Sequence, residues 1–391
     1  MRLAECMSRM GTETAFEVLA RAKALEAQGR DIIHLEIGEP DFDTAPHIVE
    51  AACRALRSGA THYTAAPGIP ELREAIAEVT SESRGHPVDM NQVVVTPGAK
   101  PIMFFTIMAL GEPGKEIIYP NPGFPIYESM IHFVGAKAVP VPLREEKGFR
   151  FDVQELIDLI TDRTALIILN SPQNPTGGIL TQEDLEAIAE VCVERDIPVL
   201  SDEVYEHLIY DGDFHSITRC EGMSTRERTI LLHGFSKTYA MTGWRIGYGV
   251  MPAPLAEHVT RLMVNSVSCT NAATQWAAVE ALRGPQDAVA SMVDAFRERR
   301  EVIVNGLNAV PGMRCVSPGG AFYAFPNITG TGMTSKEAED FFLQEAGVAC
   351  LAGTSFGEYG QGYLRLSYAN SVGAIRSALG RMTEALEKRK G

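Results

Sequence analysis

The sequence has no basic surplus, no paired cysteines and no long apolar run. Lys and Arg number 35 against 50 Asp and Glu, a formal net charge of −15. So acidic a chain is repelled by phosphate backbones and anionic lipid, which argues against nucleic acid and a membrane surface as partners. The seven cysteines (Cys6, Cys53, Cys192, Cys220, Cys269, Cys315 and Cys350) are odd in number and scattered, and no two stand at CxxC spacing. Neither a disulfide framework nor a zinc site is expected from them. The nine histidines show no HxxxH or similar ligand spacing, so no metal is expected. The longest nearly apolar stretch, 101–110, is about half a membrane span and reads as a buried helix. Met1 to Cys6 lack the apolar run of a signal peptide, and with the unpaired thiols a cytoplasmic location is expected. No repeat, low-complexity tract or Gly/Pro/Ser-rich linker breaks the chain.

What is present is material for a large folded core. The chain has 391 residues, 45% of them hydrophobic and 22% charged, which is ordinary for a globular protein of two or three domains. Short apolar runs rich in β-branched residues, at 92–95, 116–119, 165–169, 197–200 and 229–233, predict strands. Amphipathic stretches at 69–83, 98–110, 152–161 and 181–195 predict helices between or beside them. Strands apolar on both faces and separated by helices indicate an α/β fold, with a mostly parallel sheet covered on both sides. From about residue 285 the rhythm changes: a long charged helix over 288–307, short strands near 321–325 and 363–367, and a final helix over 371–388. This predicts a smaller α+β domain.

The most informative stretch is Ser236-Lys237-Thr238-Tyr239-Ala240-Met241-Thr242-Gly243-Trp244-Arg245-Ile246-Gly247. It follows a predicted strand, so Lys237 sits at a strand's carboxyl end, where open α/β sheets bind ligands. Taken alone, a loop lysine is a surface charge. Two further blocks stand upstream, Asn170-Ser171-Pro172-Gln173-Asn174-Pro175-Thr176-Gly177 and Ser201-Asp202-Glu203-Val204-Tyr205. Alone, Asp202 reads equally as a helix N-cap and Asn174-Pro175 as a turn. Gly98-Ala99-Lys100 follows the strand around 93–96 and opens the predicted helix 98–110, and a helix N-terminus with small residues offers free N–H groups to an anion.

With these blocks in this order, and with Gly38-Glu39-Pro40-Asp41-Phe42 near the start and Arg365-Leu366-Ser367-Tyr368 near the end, the chain resembles the class I aminotransferases. These are pyridoxal 5′-phosphate (PLP) enzymes of fold type I, and the likeness is greatest to bacterial and archaeal aspartate and aromatic aminotransferases. The resemblance implies a large domain with a mostly parallel seven-stranded sheet flanked by helices, and a smaller α+β domain. It divides the chain into an N-terminal segment 1–47 joining the small domain, a PLP-binding domain 48–285 and a small domain 286–391.

The residue roles implied by the resemblance each have a chemical reason. Lys237 matches the lysine that binds the cofactor as a Schiff base and then carries the proton between substrate Cα and cofactor; a free lysine, with a pKa near 10.4, is a poor nucleophile at neutral pH. Asp202 matches the carboxylate that keeps the pyridine nitrogen protonated, and Tyr205 and Asn174 match the pair that hydrogen-bonds the phenolic oxygen. Gly98, Ala99, Lys100, Ser236 and Arg245 match the phosphate-binding group, Arg245 through a forked contact. Phe124 falls where an aromatic ring stacks on the pyridine; aspartate enzymes usually carry tryptophan there, and the alternative is a core phenylalanine. Arg365 matches the arginine that clamps the substrate α-carboxylate, its alternative being a surface ion pair, and Gly38 matches a glycine that lets the backbone approach that carboxylate. Tyr63 matches a tyrosine that reaches the phosphate of a neighbouring subunit, which implies a homodimer with shared sites; its alternative is a packed core tyrosine.

The expected reaction is amino-group transfer from an L-amino acid to a 2-oxo acid, 2-oxoglutarate among the acceptors, by a ping-pong mechanism. Lys100 matches a lysine that helps bind a distal carboxylate, whereas Thr12 to Glu17 do not follow the hydroxyl-rich segment of those relatives, and Phe16 and Phe124 add apolar surface. A broad or aromatic/aliphatic donor side is therefore expected. The same residues also serve PLP enzymes that eliminate, such as a carbon–sulfur β-lyase. A catalytically silent PLP-binding module is disfavoured because every catalytic position is filled and no DNA-binding arm is attached.

Overall fold

The structure, a computed structural model, describes residues 1–390. Its strands in chain order are β1 (Ile33–His34), β2 (Val93–Thr96), β3 (Glu116–Asn121), β4 (Lys137–Arg144), β5 (Arg150–Phe151), β6 (Thr164–Asn170), β7 (Val199–Asp202), β8 (Thr229–Gly234), β9 (Gly247–Val250), β10 (Tyr323–Ala324), β11 (Val348–Ala349), β12 (Leu351–Ala352) and β13 (Leu364–Ser367). The α-helices are α1 (Ala15–Glu26), α2 (Pro46–Arg57), α3 (Pro70–Arg84), α4 (Lys100–Leu110), α5 (Ile126–Val134), α6 (Val153–Asp158), α7 (Gln182–Glu194), α8 (Phe235–Thr238), α9 (Ala253–Ser266), α10 (Ala272–Arg283), α11 (Asp287–Ala309), α12 (Ser335–Phe341) and α13 (Val372–Lys390).

One large sheet has the order β2-β9-β8-β7-β6-β3-β4-β5. The run from β8 to β4 is parallel, while β9 is antiparallel to both β2 and β8. Seven strands make its body, as expected, and the eighth, β5, is a two-residue addition folded back on β4. It forms because the turn over Glu145–Lys147 ends in Gly148 and Phe149, both at positive φ, which reverses the chain within four residues.

The sheet is buried on both faces because alternate residues of its strands point to opposite cores. On β6, Leu166 and Ile168 pack with α4, α5 and α9, whereas Ile167 and Leu169 pack with α1 and α7. A third core lies where α2, α3 and α10 cover β2, β9 and the neighbouring residue Leu231 of β8. After α10 the chain builds a three-stranded antiparallel sheet, β10-β13-β12, under α11 and α13. The N-terminal strand β1 pairs parallel with β11, so the chain's first and last quarters share one core. No helix among the described residues is long and apolar enough to cross a membrane.

Helix α4 begins at Lys100 rather than at Gly98, because Gly98 sits at φ +84° and leaves the helical path; Thr96 Oγ1 donates to its carbonyl at 2.6 Å. Two of the seven strands in the body of the large sheet lacked a sequence signal. β4 carries Pro140 and Pro142, and β9 is four residues with two glycines.

Candidate active site

The carboxyl ends of β2, β3, β6, β7 and β8 open onto a cavity of about 550 Å³. Its lining includes Gly38, Ala99, Lys100, Phe124, Asn174, Asp202, Tyr205, Ser236, Lys237, Arg245 and Arg365. Gly98 lies directly beneath it. Tyr63 does not enter it, and is 89% exposed rather than packed in a core.

At one end the cavity is built for an anion. A Cβ on Gly98 would stand 2.3 Å from Arg245 Nη2, so only glycine lets that guanidinium lie over the loop. Arg245 is exposed, at φ 54°, and its Nη1 donates to the Thr242 carbonyl at 2.7 Å. Beside it, α4 opens with Lys100, then Pro101, which has no N–H, then Ile102, whose N–H donates to the Ala99 carbonyl at 3.0 Å, so the Ala99 and Lys100 N–H groups are the ones left for an anion; Ser236 also lines the cavity.

At the other end stands a buried carboxylate. Asp202 closes β7, and its Oδ2 accepts a hydrogen bond from the Tyr127 hydroxyl at 2.5 Å. Its contact with the Val204 N–H is longer, 3.4 Å, and no helix follows, so the N-cap reading does not hold. Burial pushes the Asp202 carboxyl up to about 6, against the opposing pull of the Tyr127 hydrogen bond.

Lys237, on the short helix α8 after β8, is half-buried and its Nζ donates to the Gly38 carbonyl. Burial, followed by the charge of Arg365, lowers its amine to about 8. Tyr205 is buried, with its hydroxyl 2.7 Å from that of Tyr323. Burial and then Tyr323 raise its phenol well above the ordinary value, so it stays a hydrogen-bond donor. Phe124 sits on the wall edge-on to Tyr127, its ring centroid 5.6 Å away.

Arg365, from β13, is only 5% exposed and meets no carboxylate among the described residues. Nη2 donates to the Glu36 carbonyl and Nη1 to Asn174 Oδ1 at 3.2 Å, while Nε has no partner. The guanidinium lies between the rings of Tyr323 and Phe356, 4.6 and 4.8 Å from their centroids. A buried cation with neutral partners and an unused donor is a receptor for an anion. Gly38 is required for this packing, since a Cβ there would lie 2.3 Å from the Tyr323 hydroxyl.

Tyr127, Tyr323 and Glu13 were not singled out in the sequence. Tyr127 lies three residues after Phe124, Tyr323 within a predicted strand, and neither carried a motif of its own. Behind Tyr205, Glu206, His207 and His233 form the one group of such side chains among the described residues close enough to hold an ion. Glu206 Oε2 accepts from Arg84 and His233 Nδ1 accepts from the Gly234 N–H at 2.8 Å, while Glu206 Oε1 lies 3.2 Å from the Nε2 atoms of both His207 and His233.

The comparisons agree with this geometry. Residues 30–381 match the family model described as aminotransferase class I and II. An aspartate aminotransferase of Pyrococcus abyssi is 43% identical over 92% of this chain and 93% of its own length. The aromatic-amino-acid aminotransferase 2 of Thermococcus litoralis is 42% identical over 93% and 94%. The structure of the aspartate aminotransferase of Thermus thermophilus with maleate superposes with a TM-score of 0.93 at 38% identity, covering 98% of this chain and 100% of that one. The chain belongs to the class I and II aminotransferases, and it is a pyridoxal 5′-phosphate-dependent aminotransferase of the aspartate/aromatic branch.

Proposed function

We propose that this cavity passes the amino group of an L-amino acid to a 2-oxo acid, with 2-oxoglutarate among the acceptors, in two half-reactions at one site. The observation that carries this reading is Arg365, a buried guanidinium without a carboxylate partner, in the same cavity as Lys237. It supplies a two-pronged grip on the α-carboxylate common to every amino acid and 2-oxo acid. The bound cofactor supplies a ring that takes up the electron pair left at the substrate Cα.

The other residues do what their surroundings favour. Arg245, Ser236 and the N–H groups of Ala99 and Lys100 would hold the phosphate. Asp202 would pair with the ring nitrogen, Asn174 and Tyr205 would hydrogen-bond the phenolic oxygen, and Phe124 would offer its ring to the pyridine. Lys237 would hold the cofactor through its amine, and the same amine would carry the proton to and from the substrate Cα. An amine whose pKa is lowered to about 8 suits both tasks near neutral pH.

Phe16 and Phe124 in the wall support a broad donor side that includes aromatic and aliphatic amino acids, and Lys100 supports dicarboxylates. The lyase alternative finds no support among the relatives reported above, which are all aminotransferases. The exposed Tyr63 supports a homodimer in which it reaches the partner's phosphate, and seven free cysteines support a cytoplasmic setting. The division into 1–47, 48–285 and 286–391 belongs to the same reading.

The test is the visible spectrum of the purified protein with PLP, followed by single amino acids. A band that bleaches with glutamate and returns with 2-oxoglutarate supports the reading. A band that persists while pyruvate or ammonia accumulates points to elimination, and no band at all overturns the role given to Lys237. Turnover with aspartate alone, and none with alanine or phenylalanine, overturns the broad donor side.

A further inference from the structure

The cavity holds four cationic side chains: Lys237, Arg245, Arg365 and Lys100. Three are committed by their surroundings. Lys237 is held on the Gly38 carbonyl, Arg245 lies over the Gly98 loop, and Arg365 is sealed between two rings. Lys100 remains, the first residue of α4, at the mouth and 5.2 Å from the centroid of the Phe124 ring. It is not free, because Glu13 of the N-terminal segment forms an ion pair with it.

The two partners are unequally held. Glu13 is 22% exposed in its side chain and Lys100 is 48% exposed, so the pair sits at the water boundary. Exposed pairs of this kind hold by only about 0–1 kcal/mol, so they exchange partners readily. The segment bearing Glu13 is fixed on either side of it: the Gly11 N–H donates to Ser129 Oγ at 2.9 Å, and α1 is seated by Val18 and Ala22. Between these anchors residues 12 and 13 are in no helix or strand. The neighbouring Phe16 presents an apolar wall and is 62% exposed.

We propose that Glu13 is a built-in counter-ion for Lys100 that stands where the distal carboxylate of a dicarboxylic substrate binds, so that it sets the balance between dicarboxylic and uncharged side chains. A substrate with a distal carboxylate takes Lys100 by displacing Glu13 towards solvent. An uncharged side chain leaves the pair intact and packs on Phe16 and Phe124. One cavity thus serves both classes with Lys100 paired in either state. The inference rests on the transamination reading above and specifies its substrate selection.

The experiment compares the PLP-loaded wild type with Glu13→Gln, Lys100→Met and the double variant. The readouts are kcat/KM for aspartate and for phenylalanine, and dissociation constants for maleate and 3-phenylpropionate, followed through the cofactor's absorbance. Glu13→Gln is expected to raise the aspartate-to-phenylalanine ratio of kcat/KM at least fivefold and to tighten maleate relative to 3-phenylpropionate by a similar factor. In the Lys100→Met background the same change is expected to have no effect on either ratio. A ratio that stays within twofold, or that falls because Glu13 helps to position Lys100, overturns the proposal. A wild type without a cofactor band or turnover fails the transamination reading instead, and the two failures are thereby distinguished.

Discussion

The Tyr127 hydroxyl donates to Asp202 from 75 residues away in the chain, and both groups are buried. Hydrogen bonds to a charged group contribute about 1.5–3 kcal/mol, so Tyr127→Phe is expected to lower kcat at least tenfold while the protein still binds PLP. Asp202 itself is an expensive residue. With its carboxyl pushed up to about 6 in the folded cofactor-free chain, against an ordinary 3.8, keeping it ionised costs at most about 3 kcal/mol. That cost is absent below pH 4, grows through pH 6 and is complete above it. Asp202→Asn, which cannot ionise, is therefore expected to melt higher than wild type above pH 6 without cofactor, the gap closing near pH 4, and to lose activity more than a hundredfold. Lys237 shifts the other way: its amine becomes a nucleophile as pH rises through about 8, not 10.5. The rate at which the cofactor-free protein captures PLP should rise through pH 8, and Arg365→Ala should move that midpoint upward. At this scale the legible residues were those in dense motifs. Tyr127 and Tyr323 escaped notice because a buried hydroxyl takes its meaning from what folds onto it, and no local pattern marks that.

Among the elements, the junction between β2 and α4 shows most directly how backbone shape sets chemistry. Gly98 at φ +84° turns the chain so that α4 starts at Lys100 and Arg245 can lie across the loop. Gly98→Ala combines a strained backbone with a displaced guanidinium, so the dissociation constant for PLP is expected to rise more than tenfold, measured by equilibrium dialysis. The apolar runs of β3, β6 and β8 were legible because strands covered on both faces must be apolar throughout. The helices α7 and α11 showed in the sequence to within one or two residues of their ends, as continuous amphipathic stretches. β4 did not, since its prolines at 140 and 142 contradict strand chemistry and only its place beside β3 makes it one. α10 also went unread: its alanine-rich sequence is buried against α2 and α3 and carries little polar contrast.

Taken whole, the molecule surrounds a positively lined cavity with an acidic body of net charge −15. The exposed Tyr63 has an expected consequence in solution: light scattering should give twice the 42.5 kDa chain mass, and Tyr63→Phe should weaken PLP binding without changing that mass. The α/β class was legible from rhythm alone. The pairing of the N-terminal segment with β11 was not, because nothing in a two-residue strand announces a partner more than three hundred residues away; only the resemblance implied that this segment joins the small domain. This closure has a temporal meaning during synthesis. Lys237, Asp202 and the loop around Gly98 leave the ribosome early, yet the guanidinium that receives the substrate lies in β13, with only α13 still to follow. Glu36, whose carbonyl holds that guanidinium, is made among the first residues and waits for nearly the whole chain. A nascent protein can therefore gather the groups that grip the cofactor well before it can recognise an amino acid, and competence for the reaction arrives only with the last strand.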